Sequence, residues 1–283
     1  MLRAERTSPD GGAPPADTDR RSDRRSSRRR PPSPTVILLV RHGSTTTTGR
    51  EMPGRAPGLH LSDEGRGQAD RVADRIALVA GVGTRHDHGG GAATPGTAPP
   101  AATADAAAPG RATGRSRTRG GPSLPAVTAV YASPLERTRE TAGPIAARLG
   151  HEVLVDEGLV ELDVGEWTGL ELKAARKRRE WATIQRYPSG FTFPGGESFV
   201  GMQARMTATL ARLRAAHPGQ AIVAVSHADP IRAAVAQAMG AHLDLFQRLV
   251  VSPCSVTVIA YGEEGPTVLT VNDTAAGGAL VPS

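Results

Sequence analysis

Four short apolar runs, Val36–Val40, Val127–Tyr131, Ala221–Val225 and Ser255–Ala260, constrain this chain more than anything else in it. Three of them lack polar alternation, so both faces of each strand must be buried, and only a sheet covered on both sides does that. Helical spacings of three and four lie between them: Val72/Ile76, Ile145/Leu149, Met202/Met206/Leu210/Leu213 and Ile231/Val235/Met239. Strand then helix, repeated, predicts an α/β fold: three layers, α/β/α, around a mainly parallel central sheet. A functional site is then expected at the carboxyl ends of the strands.

Two segments stand outside this pattern. Residues 1–34 are rich in Arg, Ser, Pro and Asp without apolar periodicity, which predicts a disordered, solvated tail. Residues 83–126 are Gly, Ala, Pro, Thr and Arg with Leu124 as the one large aliphatic, which predicts a flexible insertion within a single domain spanning 35–283. These two segments carry +4 and +3, with nine arginines against five acids in the first and five against two in the second, which leaves −1 of the net +6 for the rest of the chain. The remainder is close to neutral, so no specific nucleic-acid binding is expected. Arg85-His86-Asp87-His88 in the insertion is read as solvated chain rather than a metal site.

The arginine pairs of the tail resemble an export signal, but Val36–Val40 is too short for its apolar part and reads as the first core strand. A single cysteine, Cys254, allows no internal disulfide and fits a reducing, cytoplasmic setting. No apolar run approaches the length of a membrane span.

Three strands end alike. The first runs into Arg41-His42-Gly43. The second runs into Ser133-Pro134-Leu135-Glu136, which reads as a capping box with proline at the first helical position, and Arg137 lies one turn in. The third runs into Ser226-His227-Ala228, with Asp229 as the expected N-cap. If the strands are neighbours, Arg41, His42, Arg137 and His227 converge with helix N-termini at one sheet edge. That is a pocket for a compact dianion, phosphate above all.

Arg41-His42-Gly43, "SPLERTRETA", "ELDVGEWTG" and "SHADPIR", in this order, resemble the histidine phosphatase superfamily, the phosphoglycerate mutase-like group. The resemblance implies that His42 accepts the phosphoryl group. It also implies that Arg41, Arg137 and His227 hold the phosphoryl oxygens and that Glu161 donates the proton to the leaving oxygen. Asp163 and Glu166 are nearby alternatives for that carboxylate. Gly43, Thr45, Thr48, Arg55 and Ala228 are placed toward substrate, and Arg50 and Arg55 are read as meeting either a second acidic group or, somewhat more readily, solvent. Thr48 stands where many members carry asparagine.

A small phosphorylated metabolite is the implied partner. No cofactor or metal is implied, because cationic side chains supply the charge that Mg²⁺ supplies elsewhere. The segment after Glu161 lacks the Arg-His-Tyr run of glycolytic mutases, which favours phosphomonoester hydrolysis. A phosphomutase using the same phosphohistidine is the alternative, and a non-catalytic phospho-ligand module a further one. Cys254 has Ala260 where a cysteine phosphatase needs arginine and is read as a small buried residue. Phe191 and Phe193 are read as core or lid.

Overall fold

The structure, a computed structural model, describes residues 32–82 and 124–274. The expectations for the tail, and for the insertion with its Arg85-His86-Asp87-His88, lie outside these residues except at their edges. There, Leu124 packs against the core.

The first half of the fold runs β1 (Thr35–Arg41), β2 (Glu51–Met52), α1 (Asp63–Val79), β3 (Val127–Ala132), α2 (Glu136–Leu149) and β4 (Val153–Val155). Short pieces follow: β5 (Leu170–Glu171), α3 (Leu172–Ala175) and α4 (Trp181–Arg186). Then come α5 (Phe199–Ala216), β6 (Ala221–Ser226), α6 (Ala228–Ala238), β7 (Val256–Gly262) and β8 (Gly265–Asp273).

The six-stranded sheet has the order β4-β3-β6-β1-β7-β8. The first four strands are parallel, and β7 and β8 are antiparallel. The alternating side chains of β1 explain the two-sided burial. Val36, Leu38 and Val40 join Val72, Ile76 and Ile145 of α1 and α2 on one face. Ile37 and Leu39 join Met206, Leu210, Leu213 and Ile231 of α5 and α6 on the other. Fully burying each of these aliphatics contributes about 1.5–3 kcal/mol before the opposing chain entropy. The fold class is as expected, with a mostly parallel central sheet between helical layers.

A third cluster gathers Trp167, Ile184, Phe193, Phe199 and Phe246 over the carboxyl edge of the sheet. Phe193 is buried there and Phe191 packs edge-on against it, so these aromatics are core. The two helix starts differ from expectation. Helix α2 begins at Glu136 with Leu135, in extended conformation, at the cap position, so Ser133-Pro134-Leu135-Glu136 is not a capping box. Helix α6 begins at Ala228 behind His227, so Asp229 is a first-turn residue and not the cap. Both strand ends carry straight on into side chains that the site uses.

Candidate active site

Strands β3, β6 and β1 lie side by side, and their carboxyl ends deliver the site. Backbone pairing continues one residue past the strands: His42 N–H donates to Ser226 O at 3.0 Å and Ser133 N–H to Val225 O at 3.0 Å. This sets the His42 ring 5.2 Å from that of His227, centroid to centroid. Beyond His42 the chain presses on the start of α1. A Cβ on Gly43 would lie 2.6 Å from Gly65 O, and one on Gly65 only 2.0 Å from Ser44 O.

His42 is 6% exposed. Its Nδ1 lies 2.7 Å from Gly43 O. A carbonyl oxygen only accepts, so Nδ1 carries the proton and Nε2 keeps its lone pair. Burial first, then the charges of Arg137 and Arg41, hold this ring's pKa well below its ordinary value, so it is neutral. His227 is held neutral by the same causes. Its Nε2 lies 2.8 Å from Ser133 Oγ, the hydroxyl that sequence assigned to a helix cap.

Two guanidinium groups flank the histidines. Arg137 is fully buried. Its Nη2 donates to Gly54 O at 2.8 Å, while Nε and Nη1 have no hydrogen-bond partner. Arg41 donates Nη1 to Val251 O at 2.7 Å and also leaves Nε unpartnered. His227 Nδ1 is unpartnered too. Buried donors without acceptors are costly, and these unpartnered N–H groups on neighbouring side chains are the kind of donors an anion satisfies.

Glu161 completes the group, with Oε2 3.8 Å from His227 Nδ1 and its side chain 16% exposed. Its Oε1 accepts from Leu162 N–H at 2.9 Å. Burial first, and Asp229 second, push its pKa up to about 7, against the pull of Leu162 N–H, Arg137 and Arg41. The carboxylate that raises Glu161 is therefore Asp229, itself bonded to Arg232 at 3.0 Å. Asp163 instead accepts from Gly165 N–H at 2.9 Å, and Glu166 is exposed.

Arg41, Glu161, Ala228, Asp229 and Arg232 line a cavity of about 380 Å³, walled by Met52, Leu162, Trp181 and Phe193. The other residues placed toward substrate have different work. Gly43 accepts from His42, and its N–H donates to Thr141 Oγ1 at 3.0 Å. Thr45 is buried and exchanges hydrogen bonds with Thr48, at 2.8 Å from its N–H and 3.0 Å between hydroxyls. Arg55 donates Nε to Glu161 O at 2.8 Å and Nη2 to Glu197 at 2.9 Å, away from the cavity. Arg50 is exposed.

Cys254 is buried, and burial raises its thiol to about 12. Its N–H donates to Arg41 O at 3.0 Å. Among the described residues, no group of three or more His, Cys, Asp or Glu is placed to hold a metal ion. Among the same residues, no helix is long and apolar enough to cross a membrane.

Fold and site together define an α/β protein with a buried cluster of two histidines and two arginines at the carboxyl edge of a mostly parallel sheet. The chain belongs to the histidine phosphatase superfamily (branch 1), whose family model matches residues 37–82 and 121–274. It is 33% identical to a bifunctional protein of Mycobacterium tuberculosis over 171 residues, 58% of this chain and 44% of the relative, so it spans less than half of that protein's length. It is 31% identical to phosphoserine phosphatase 1 of Hydrogenobacter thermophilus over 150 residues, 51% of this chain and 70% of the relative. Among solved structures, mycobacterial glucosyl-3-phosphoglycerate phosphatase shares the fold. The TM-score is 0.61 at 21% identity, covering 84% of this chain and 98% of that one.

Proposed function

We propose that the protein is a metal-independent phosphomonoesterase working through a phosphohistidine on His42. The observation that carries this is the tautomer: Nδ1–H is tied to Gly43 O, and the neutral ring leaves Nε2 as a nucleophile between two arginines. Nε2 attacks phosphorus, the P–N bond forms and the P–O ester bond breaks. The departing alkoxide takes the proton of Glu161, whose pKa of about 7 suits a group that must give and regain a proton. Arg41, Arg137 and His227 Nδ1–H hold the non-bridging oxygens and neutralise their charge. Water then attacks phosphorus and gives its proton to the Glu161 carboxylate. The P–N bond breaks, and phosphate leaves with His42 neutral again.

The substrate is a small phosphorylated metabolite whose alcohol portion fits the cavity, and the single cysteine fits a cytoplasmic setting.

The test is brief mixing with a phosphate-labelled aryl ester, before and after dialysis against EDTA. Wild type should carry acid-labile, base-stable label and release inorganic phosphate in both cases, and His42→Ala should do neither. Label on Ser44 or Thr45, or activity recovered only with added metal, would overturn the mechanism. Label passing to an added alcohol rather than to water would make the protein a phosphomutase. A protein that only binds phosphorylated ligands would carry no label.

A further inference from the structure

Three charged side chains behind Glu161 have no part in the mechanism above. Glu197, Arg55 and Arg205 do not line the cavity. They converge instead on the backbone that carries Glu161. Arg205 Nη1 donates to Gly158 O and to Val160 O, both at 2.9 Å, and its Nη2 to Glu161 O at 3.4 Å. Arg55 Nε reaches the same Glu161 carbonyl at 2.8 Å. Glu197 N–H donates to Asp163 O at 2.9 Å. Four carbonyls of the six-residue stretch 158–163 are thus held by this trio.

The stretch needs such support. It starts inside one short 3₁₀ turn, Glu157–Leu159, and ends just before another, Gly165–Trp167, outside any strand or α-helix. A catalytic carboxylate is only as well placed as its own backbone, and side-chain donors here do what a ladder does elsewhere.

Two guanidinium groups on one carbonyl repel each other unless an anion stands between them. Glu197 is that anion. Its Oε2 accepts from Arg55 Nη2 and from Arg205 Nη2, each at 2.9 Å, and its Oε1 from Arg205 Nε at 3.0 Å. The side chains of Glu197 and Arg205 are largely buried, at 18% and 22% exposure, which strengthens the arrangement over a surface pair. The trio also ties the two halves of the site together. Gly54, one residue before Arg55, takes the hydrogen bond of Arg137 Nη2.

We propose that Glu197 is a positioning residue for Glu161, acting through Arg55 and Arg205; this rests on Glu161 being the proton donor. Losing the carboxylate charge leaves the two guanidinium groups to repel each other, with only the longer Arg55–Asp163 contact at 3.7 Å to offset it, and the Glu161 carboxyl drifts from the leaving oxygen. A displacement of about 1 Å costs up to about 10²-fold in rate.

The experiment compares E197Q, E161Q and the double variant on an alkyl phosphate and on an activated aryl phosphate, with inorganic phosphate as competitive inhibitor. E197Q should lower kcat on the alkyl ester roughly 10- to 100-fold. It should leave the aryl phosphorylation burst and phosphate inhibition nearly unchanged. E161Q/E197Q should be no slower than E161Q. Equal losses on both esters, or losses that multiply in the double variant, would reduce Glu197 to a structural role and overturn the proposal. If E161Q itself shows no dependence on the leaving group, the proton-donor assignment fails, and the proposal with it. Should E197Q not fold, Arg55→Lys replaces it, since an ammonium keeps the charge but cannot span Glu161 O and Glu197 with a fixed fork. Its losses are judged by the same comparison.

Discussion

In the proposed mechanism Glu161 must be protonated when the ester breaks and ionised when water attacks, and its neighbours set that balance. Burial and Asp229 favour the neutral form, while Leu162 N–H, Arg137 and Arg41 favour the anion. The sign for activity follows. Alkyl phosphates need the protonated form, so kcat/KM should fall as pH rises through about 7. Asp229→Asn removes a raising influence, so the alkaline limb should move to lower pH. A pH profile from 5 to 9 on an alkyl phosphate checks this; an unmoved or raised limb contradicts it. Sequence alone could not have found this pair. The neighbours of Asp229 along the chain suggest a helix cap, whereas Glu161, 68 residues away, meets it only across the cavity. Sequence places Arg55 toward substrate for the same reason, because its partners lie 106 and 142 residues away.

At the scale of elements, α1 determines where His42 can sit. Its first turn is pinned by Ser62, whose N–H donates to Ser44 O at 2.9 Å and whose hydroxyl accepts from Gly65 N–H at 3.1 Å. Gly65 presses on that same Ser44 carbonyl, and Gly67, two residues on, does not. Gly65→Ala should therefore cost about 3 kcal/mol and reduce phosphoryl transfer, because either the helix or the backbone beyond His42 must move. In Gly67→Ala the new Cβ meets only the flexible tip of Arg71 at 3.3 Å, so helix propensity should dominate and stabilise by up to about 1 kcal/mol. Urea melts of the two variants read the opposite signs. The elements that sequence made legible are the ones whose pattern is set by burial. Strands β1, β3 and β6 and helices α1, α2, α5 and α6 all carry the core. Strand β4 went unread because it is three residues long with Leu154 and Val155 exposed. Strand β8 went unread because none of its residues is buried. The start of α2 was misplaced because Ser133 spends its hydroxyl on His227 rather than on the helix.

For the molecule as a whole, the question is how much of the chain the fold needs. The family model matches 37–82 and resumes at 121, leaving 83–120 aside. Residues 83–123 contain no Val, Ile, Leu, Met or aromatic residue, so they bring no large side chain to a core. The ends on either side are anchored. Val82 N–H donates to Ala77 O at 3.0 Å, and Leu124 packs against the first core cluster. Because β1 and β3 run parallel with β6 between them, α1 must return the chain to the edge where β3 starts, about 10 Å away laterally. Helix-to-strand links in such units commonly take about 2–6 residues. Replacing 85–122 with eight Gly and Ser residues gives a reach of up to about 26 Å, enough to close the crossover. The shorter loop should also lower the closure entropy, by about 1 kcal/mol over roughly two halvings of length. The expected outcome is a soluble protein with kcat unchanged and a melting temperature equal to or slightly above that of the full chain. Extending the cut through Leu124 should lower the melting temperature, since that side chain belongs to the core. Loss of solubility or of activity in the shorter replacement would show that 85–122 supports the fold or the site, and would contradict placing it outside the domain's core.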